Sequence, residues 1–467
     1  MAHVCICHLR ATIGLATYDI REVSADQQLT PVTPQASALS ARQWTPRRAR
    51  TADQLDIQPA VVSDLLLKTL YQSSPLAGYE LSQRLRLDYH IFSGLLEELV
   101  SQGQVQKLGD APRRPAHLSS LDEGFNYGIT STGVERAREA TARNAYVGVA
   151  PVPLDTYTLS VVQQALPEGF ASPERLENAL RNLVLPRTTL KLLGPALNSR
   201  SSIFLYGHSG NGKSTIARAT RDLLGGGMYI PYAVAIEDQV IRLLDRGYHE
   251  PLGNADPGAD QRWLYCRRPL VAVGGELDNT MLDLIWHPDA RFYDAPLQMK
   301  ANGGVFLVDD LGRQVTDPRT LLNRFIIPME EDIDYLNMTA SGRKIDVPFG
   351  VLLIFSTNIQ PKELVDEAFL RRIRHKVRID DPSEEAFKEI FRREAELQHV
   401  AINDAWIDYI LKLTYKGTNP PRPMRGVHPR DLLTHIREIA EFEGVRDVVI
   451  NAELVDAACA AQFVDEL

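Results

Sequence analysis

The densest chemistry in the chain lies in Gly207-His-Ser-Gly-Asn-Gly-Lys-Ser-Thr215. Glycines at 207, 210 and 212 let a backbone close tightly, so that successive N–H groups and the positive end of a following helix converge on one point. An anion that takes many amide donors at once is a phosphate. Lys213 adds a cation for β and γ oxygens, the Ser214 hydroxyl a ligand for magnesium, and Thr215 a flank for the nucleotide. His208, Ser209 and Asn211 complete the loop. The apolar run Ser201 to Tyr206 reads as a buried strand leading straight into it, which is the strand, loop and helix setting that such a motif needs. The expected cofactors are ATP and Mg2+.

A second group follows in Val305-Phe-Leu-Val-Asp309-Asp310, four apolar residues and then two acids. Two acids after a strand can simply cap it. Downstream of a phosphate loop they also stand at the carboxyl end of a buried strand, where open α/β sheets bind ligands. Asp309 is then placed to hold magnesium through its water shell, and Asp310 to polarise an attacking water as the base.

The elements that must position these groups can be read from pattern. From about 170 to about 380 strands and helices alternate, which predicts a parallel sheet covered on both faces. Beyond 383 only helical periodicity remains, as in a separate lid. Upstream, residues 55–145 carry Val61, Leu65, Leu66 and Leu70 at helical spacing, a short helix through Leu81 and Leu85, and a third holding Ile91, Leu95, Leu96, Leu99 and Val100 that ends at Gly103. Val105–Leu108 and Phe125–Ile129 read as strands around a polar loop, and Thr132 as the cap of a last helix. Three short helices and a two-stranded wing are similar to a winged-helix module. Gly148, Pro151 and Pro153 mark 146–180 as a connector, and residues 1–54 read as a disordered tail. The expected fold is therefore α/β: a P-loop αβα sandwich over 181–382, a helical lid over 383–467 and a winged-helix-like domain over 55–145.

Composition bounds the alternatives. The 467 residues are 44% apolar and 24% charged, with a net charge of -9, as in soluble globular proteins of several domains. No apolar run reaches the roughly 18 residues of a membrane span. Met1 to Leu15 lacks a basic segment followed by an apolar one, which predicts cytoplasmic residence. Four scattered cysteines make no disulfide framework, and His3, Cys5, Cys7 and His8 have no second ligand pair to close a zinc site.

On these residues, about 180 to 465 resembles the AAA+ ATPases, in layout the MoxR and magnesium-chelatase branch. Asp309-Asp-Leu-Gly-Arg313 is similar to that branch's acidic strand end, Leu321–Glu331 to its next helix, and Tyr335–Phe349 around Ser341-Gly342 to the hairpin before its sensor strand. The resemblance implies that Asn358, after the apolar run Val351–Thr357, orients the water or reads the γ-phosphate. It implies that Arg372, or its neighbour Arg371, is the arginine finger that reaches a neighbouring subunit's nucleotide. It makes Arg430, at a helix start after Pro429, the lid arginine of sensor 2, and sets the adenine against residues 184–196. It also implies ATP hydrolysis by a homo-oligomer, a hexameric ring.

The partner stays open. The third helix, Asp88 to Val100, has Asp88, Glu97 and Glu98 and no Lys or Arg, and residues 51–145 hold nine basic against twelve acidic side chains. Nucleic acid selects the opposite balance. Only Arg113, Arg114 and the run Arg47, Arg48, Arg50 favour it. A protein-interaction adaptor is the leading reading. Three functions remain: a motor that remodels a protein partner, with the hairpin near Gly342 as a contact; a DNA-directed ATPase such as a helicase loader or transcription-linked regulator; and a nucleotide-gated assembly switch.

Overall fold

The computed structural model describes residues 44–110, 122–364, 367–444 and 449–463. The cysteine and histidine cluster near residue 5, the tail up to residue 43, Arg113, Arg114 and Asp366 lie outside the described residues.

Helix α1 (Pro59–Ser73) starts on a proline at its first turn, where no N–H is needed. It buries Val62, Leu65, Leu66 and Leu70, one stripe at helical spacing. Strand β1 (Leu76–Ala77), helices α2 (Gly78–Leu85) and α3 (Tyr89–Ser101), strands β2 (Val105–Asp110) and β3 (Phe125–Ile129), and helix α4 (Ser131–Arg143) follow. The three strands form one sheet in the order β1-β3-β2, antiparallel throughout. Gly103, at φ +72°, ends α3 as expected. The last helix is capped by Thr130 and not by Thr132. Thr130 has the extended backbone that a cap requires, and its hydroxyl accepts from the Gly133 amide at 3.1 Å.

Two stretches expected to be open are packed. Trp44 meets Trp263 edge to face at 5.4 Å, and Arg48 pairs with Asp88 at 2.7 Å. The expected connector forms strand β4 (Val152–Pro153) and helices α5 (Leu154–Gln163) and α6 (Pro173–Ala179). The Tyr157 hydroxyl is buried and accepts from Asn302 at 2.8 Å. Prolines and glycines there turn the chain between packed elements, which sequence pattern alone cannot tell from a loose link.

Helix α7 (Arg187–Asn198), strand β5 (Ile203–Tyr206) and helix α8 (Lys213–Leu224) keep the expected alternation, and then it breaks. Strands β6 (Gly227–Pro231), β7 (Ala233–Ile236), β8 (Gln239–Arg242) and β9 (Trp263–Arg267) come with no helix between them. Strand β10 (Leu270–Val273) returns to the parallel sheet, and β11 (Ile285–His287) and β12 (Phe292–Asp294) leave it again. They build a pair, β6-β9, and a second sheet in the order β11-β12-β8-β7-β4. The runs Ala233–Ile236 and Gln239–Arg242 are too short for a helix and turn at Glu237, φ +54°, so a hairpin forms where a crossover helix was expected.

The remaining elements are α9 (Leu297–Lys300), β13 (Val305–Val308), α10 (Pro318–Arg324), α11 (Ile326–Glu331), β14 (Ile333–Met338), β15 (Arg343–Pro348), β16 (Leu352–Thr357), α12 (Pro361–Leu364), α13 (Glu367–Arg372) and β17 (His375–Arg378). The main sheet is parallel, in the order β10-β13-β16-β5-β17. Its alternate residues feed two apolar layers, Leu205, Leu307 and Ile354 on one face and Phe204, Phe306 and Phe355 on the other. This is the expected αβα sandwich.

The expected hairpin forms, with Met338 opposite Arg343 and Gly342 at φ +70° in its turn. It does not stand free. Leu336, Met338, Ile345 and Val347 share a core with β6 to β9, and Asp334, 1% exposed, accepts from Arg324. The carboxyl-terminal part is helical: α14 (Glu384–Gln398), α15 (Asp404–Ile410), a π-helical turn (Leu411–Lys416), α16 (His428–Phe442) and α17 (Ala452–Gln462). Phe387, Phe391, Leu432, Ile436 and Val455 give it its own core. Among the described residues no helix is long and apolar enough to cross a membrane.

Candidate functional site

The loop after β5 takes the shape its glycines allow. Gly207, Gly210 and Gly212 have φ of +135°, +83° and +86°, the left-handed region that disfavours any side chain. A Cβ at Gly207 would lie 2.2 Å from the Ile379 carbonyl oxygen, and one at Gly210 would lie 2.6 Å from Val427 Cγ1. Helix α8 starts directly at Lys213, with Gly212 as its cap, so its first-turn amides have no intrahelical acceptor and open toward the loop. Lys213 is 6% exposed and donates to the carbonyl oxygens of Gly207 and His208, both at 2.9 Å. Burial draws its pKa down, against Asp310 and Asp309, whose charges favour the ammonium, while Arg425 adds to the lowering. The lysine and both acids thus lie close enough to feel one another's charge.

Beside the loop lies a cavity of about 400 Å³, within the range of small-ligand pockets. Ser214, Thr215 and Gly212 form one side. Leu183, Ile379, Ile390 and Val427 supply apolar walls from four parts of the chain, and Arg430 reaches it from α16. Of residues 184–196, expected to meet a base, Val184, Leu185, Pro186 and Thr189 line it. Leu193 and Ala196 instead pack into the sheet's core, because α7 is amphipathic and buries that stripe. Ile379, Ile390 and Val427 carried no local signal.

Strand order brings the acids alongside. Strand β16 lies between β13 and β5, so the ends of all three open on one edge of the sheet. The Asp309 amide donates to Val273 O at 2.7 Å, and its carboxylate accepts from the Asp310 amide at 3.1 Å. Asp310 is exposed, at φ +49°, a left-handed conformation that among side-chain-bearing residues favours asparagine and aspartate. Gln314 steadies this turn by donating to the carbonyls of Gly274 and Asp309, both at 3.1 Å. Leu311 N donates to Ser356 O at 2.8 Å, tying the turn to β16. At the end of that strand, Asn358 Oδ1 is buried with no hydrogen-bond partner among the described residues.

The arginines are dispersed. Arg371 is 76% exposed and bonds Glu367 at 3.1 Å; Arg372 is 35% exposed and bonds Glu330 at 2.6 Å. Neither lines the cavity. Arg430 lines it but holds Asp431 at 2.9 Å and is 59% exposed.

Sequence reasoning missed a third acid. Asp381 Oδ1 takes Asn211 Nδ2 at 2.7 Å, His208 Nδ1 at 3.2 Å and the Arg425 guanidinium. Burial pushes this carboxyl up, but the bonds from Asn211 and Arg425 and the charge of Arg425 outweigh it and hold it below the usual range. Two adjacent acids, Asp380 and Asp381, do follow β17 as Asp309 and Asp310 follow β13, but β17 alternates polar with apolar residues and lacks the apolar run that marked the earlier pair.

The family described as a domain of unknown function, DUF8689, matches residues 383–461, the helical carboxyl-terminal part. No curated protein matches the sequence. Among solved structures, the RuvB Holliday junction branch migration motor of Thermotoga maritima is 18% identical, over 60% of this chain and 70% of its own, with a TM-score of 0.35. NtrX from Brucella abortus is 14% identical in its complex with ATP, over 59% of this chain and 56% of its own, with a TM-score of 0.37. Overlap of this extent adds no weight to the geometry.

Proposed function

We propose that the chain binds Mg-ATP and hydrolyses it, as an ATPase of the AAA+ type, and uses the cycle to remodel a protein partner from a homo-oligomeric ring in the cytoplasm. One observation carries the reading: three left-handed glycines close a loop over a buried lysine at the same sheet edge as two carboxylates and an amide oxygen that has no partner among the described residues. A triphosphate fits that cradle. The loop amides and Lys213 would hold its phosphates, and the apolar walls of the cavity its base. The all-oxygen pair of Ser214 and Asp309 suits magnesium, which when bound neutralises charge on the β and γ oxygens. Asp310 would take the proton of the attacking water, Asn358 would orient that water, and Arg372 or Arg371 would serve the neighbouring subunit's site.

The amino-terminal winged-helix-like part favours a protein contact. Arg48, one of the basic residues that could favour nucleic acid, is engaged by Asp88 at the start of α3, and Glu97 and Glu98 are exposed on that helix, carboxylates that repel a polyanion.

Nucleotide binding and turnover of two variants test the reading. Lys213→Ala should retain no ATP, while Asp310→Asn should retain ATP and hydrolyse it on the order of a hundredfold more slowly. ATP retention by the first, or unchanged turnover of the second, rejects it. Stimulation of the wild-type rate by duplex DNA would turn the partner reading toward nucleic acid.

A further inference from the structure

Three groups converge on one oxygen of Asp381. His208 and Asn211 come from the phosphate loop, and Arg425 from the segment that leads into α16. The same segment touches the loop twice more. The Gly426 amide donates to Asn211 Oδ1 at 3.0 Å, and Val427 fills the space that a Gly210 side chain would need. Arg425 is also close enough to Lys213 for its charge to lower that lysine's pKa. Its side chain is only 18% exposed. Arg430, by contrast, spends its guanidinium on its neighbour Asp431.

From this we infer that Asp381 and Arg425 form a clasp between the helical part and the phosphate loop, and that phosphates entering the loop compete with Asp381 for Arg425. The inference rests on the nucleotide-binding reading above. The physical ground is simple. A guanidinium makes its strongest bonds to carboxylate or phosphate oxygens, and a nucleotide's phosphates would bring several such oxygens to the loop whose Asp381 partner Arg425 already holds. When Arg425 turns to them, the Asp381 carboxylate keeps His208 and Asn211, so the loop stays supported while the helical part is released to a new angle. Asp381 is thus a positioning residue that acts through Arg425, and a differential contact of this kind is what allows nucleotide to shift a conformational equilibrium.

Calorimetric titration of the full chain with ATP and with ADP, in magnesium buffer, tests the clasp. Arg425→Ala should weaken both nucleotides about tenfold, the effect of losing one charge-assisted bond. Asp381→Asn should tighten them severalfold, and in the double variant that gain should vanish, because it acts through Arg425. An equal gain with and without Arg425 would reduce Asp381 to a repelling charge and overturn the inference. So would weaker binding by Asp381→Asn, which would make it a prop for the loop. Thermal unfolding checks each variant for folding, and Arg425→Lys, which keeps the charge, should recover part of the affinity; recovery of none also overturns the clasp. Failure of the wild-type chain to bind either nucleotide would sink the parent reading instead.

Discussion

The Thr357 hydroxyl donates to the Leu311 carbonyl oxygen at 2.7 Å, joining the last residue of β16 to the turn that carries Asp310. The Thr357 hydroxyl oxygen in turn accepts from the Ile359 amide at 3.1 Å. One buried hydroxyl therefore fixes Asn358 from both sides relative to the acids.

Thr357→Val keeps the shape and removes the bonds. Thr357 is 0% exposed, so two backbone groups lose a partner away from water, at a cost of about 1–3 kcal/mol. Turnover should fall roughly tenfold with ATP affinity little changed, since the loop around Lys213 is untouched. Steady-state kinetics beside a binding titration check this; a loss of affinity with unchanged turnover would contradict it.

Arg372→Ala should leave ATP binding intact and slow turnover on the order of a thousandfold, the scale of a finger supplied in trans. Its half-exposed pair with Glu330 contributes little to folding. Arg371→Ala serves as the comparison. Mixing the Arg372 variant with a Lys213→Ala chain should restore some activity if one subunit completes another's site; no recovery, with normal turnover of the variant alone, would remove Arg372 from the mechanism.

Gly207→Ala should abolish nucleotide binding and lower the melting temperature. The new Cβ meets a backbone oxygen at 2.2 Å with φ at +135°, strain of roughly 1–3 kcal/mol before any clash is counted. Gly342→Ala is the control, because nothing lies within 4 Å of a Cβ there. Scanning calorimetry should show the larger shift for the first.

Acid should weaken the helical part through His428. Burial, joined by the charges of Arg425 and Arg422 and opposed by those of Asp431 and Asp381, holds its pKa at about 4, and its Nδ1 lies 3.0 Å from the Tyr415 hydroxyl. The unfolded chain takes up this proton near pH 6.5 and the folded one near 4, so the unfolded state binds more protons between them and stability falls as pH drops through that window. Asp381, held below the usual carboxylate range, contributes its loss at lower pH. Urea unfolding at pH 7, 6, 5 and 4 should show the decline, and His428→Gln should flatten it; an unchanged slope would assign the decline to other groups.

Local residues carried much of this protein. The loop from Gly207 to Thr215, its strand and helix, the paired acids after β13, the hairpin turn at Gly342 and the helical end were legible because each depends on neighbours in the chain: which positions tolerate positive φ, which apolar residues repeat, where a strand must stop. What the sequence could not declare is whatever joins distant positions. The β-rich insertion after α8 was hidden by strands as short as three to five residues, the cavity's walls come from four separate segments, and Asp381 meets Asn211 and Arg425 only because the parallel sheet sets β17 beside β5. Such contacts are selected by burial and by the pairing of charges across the fold, and no local period records them.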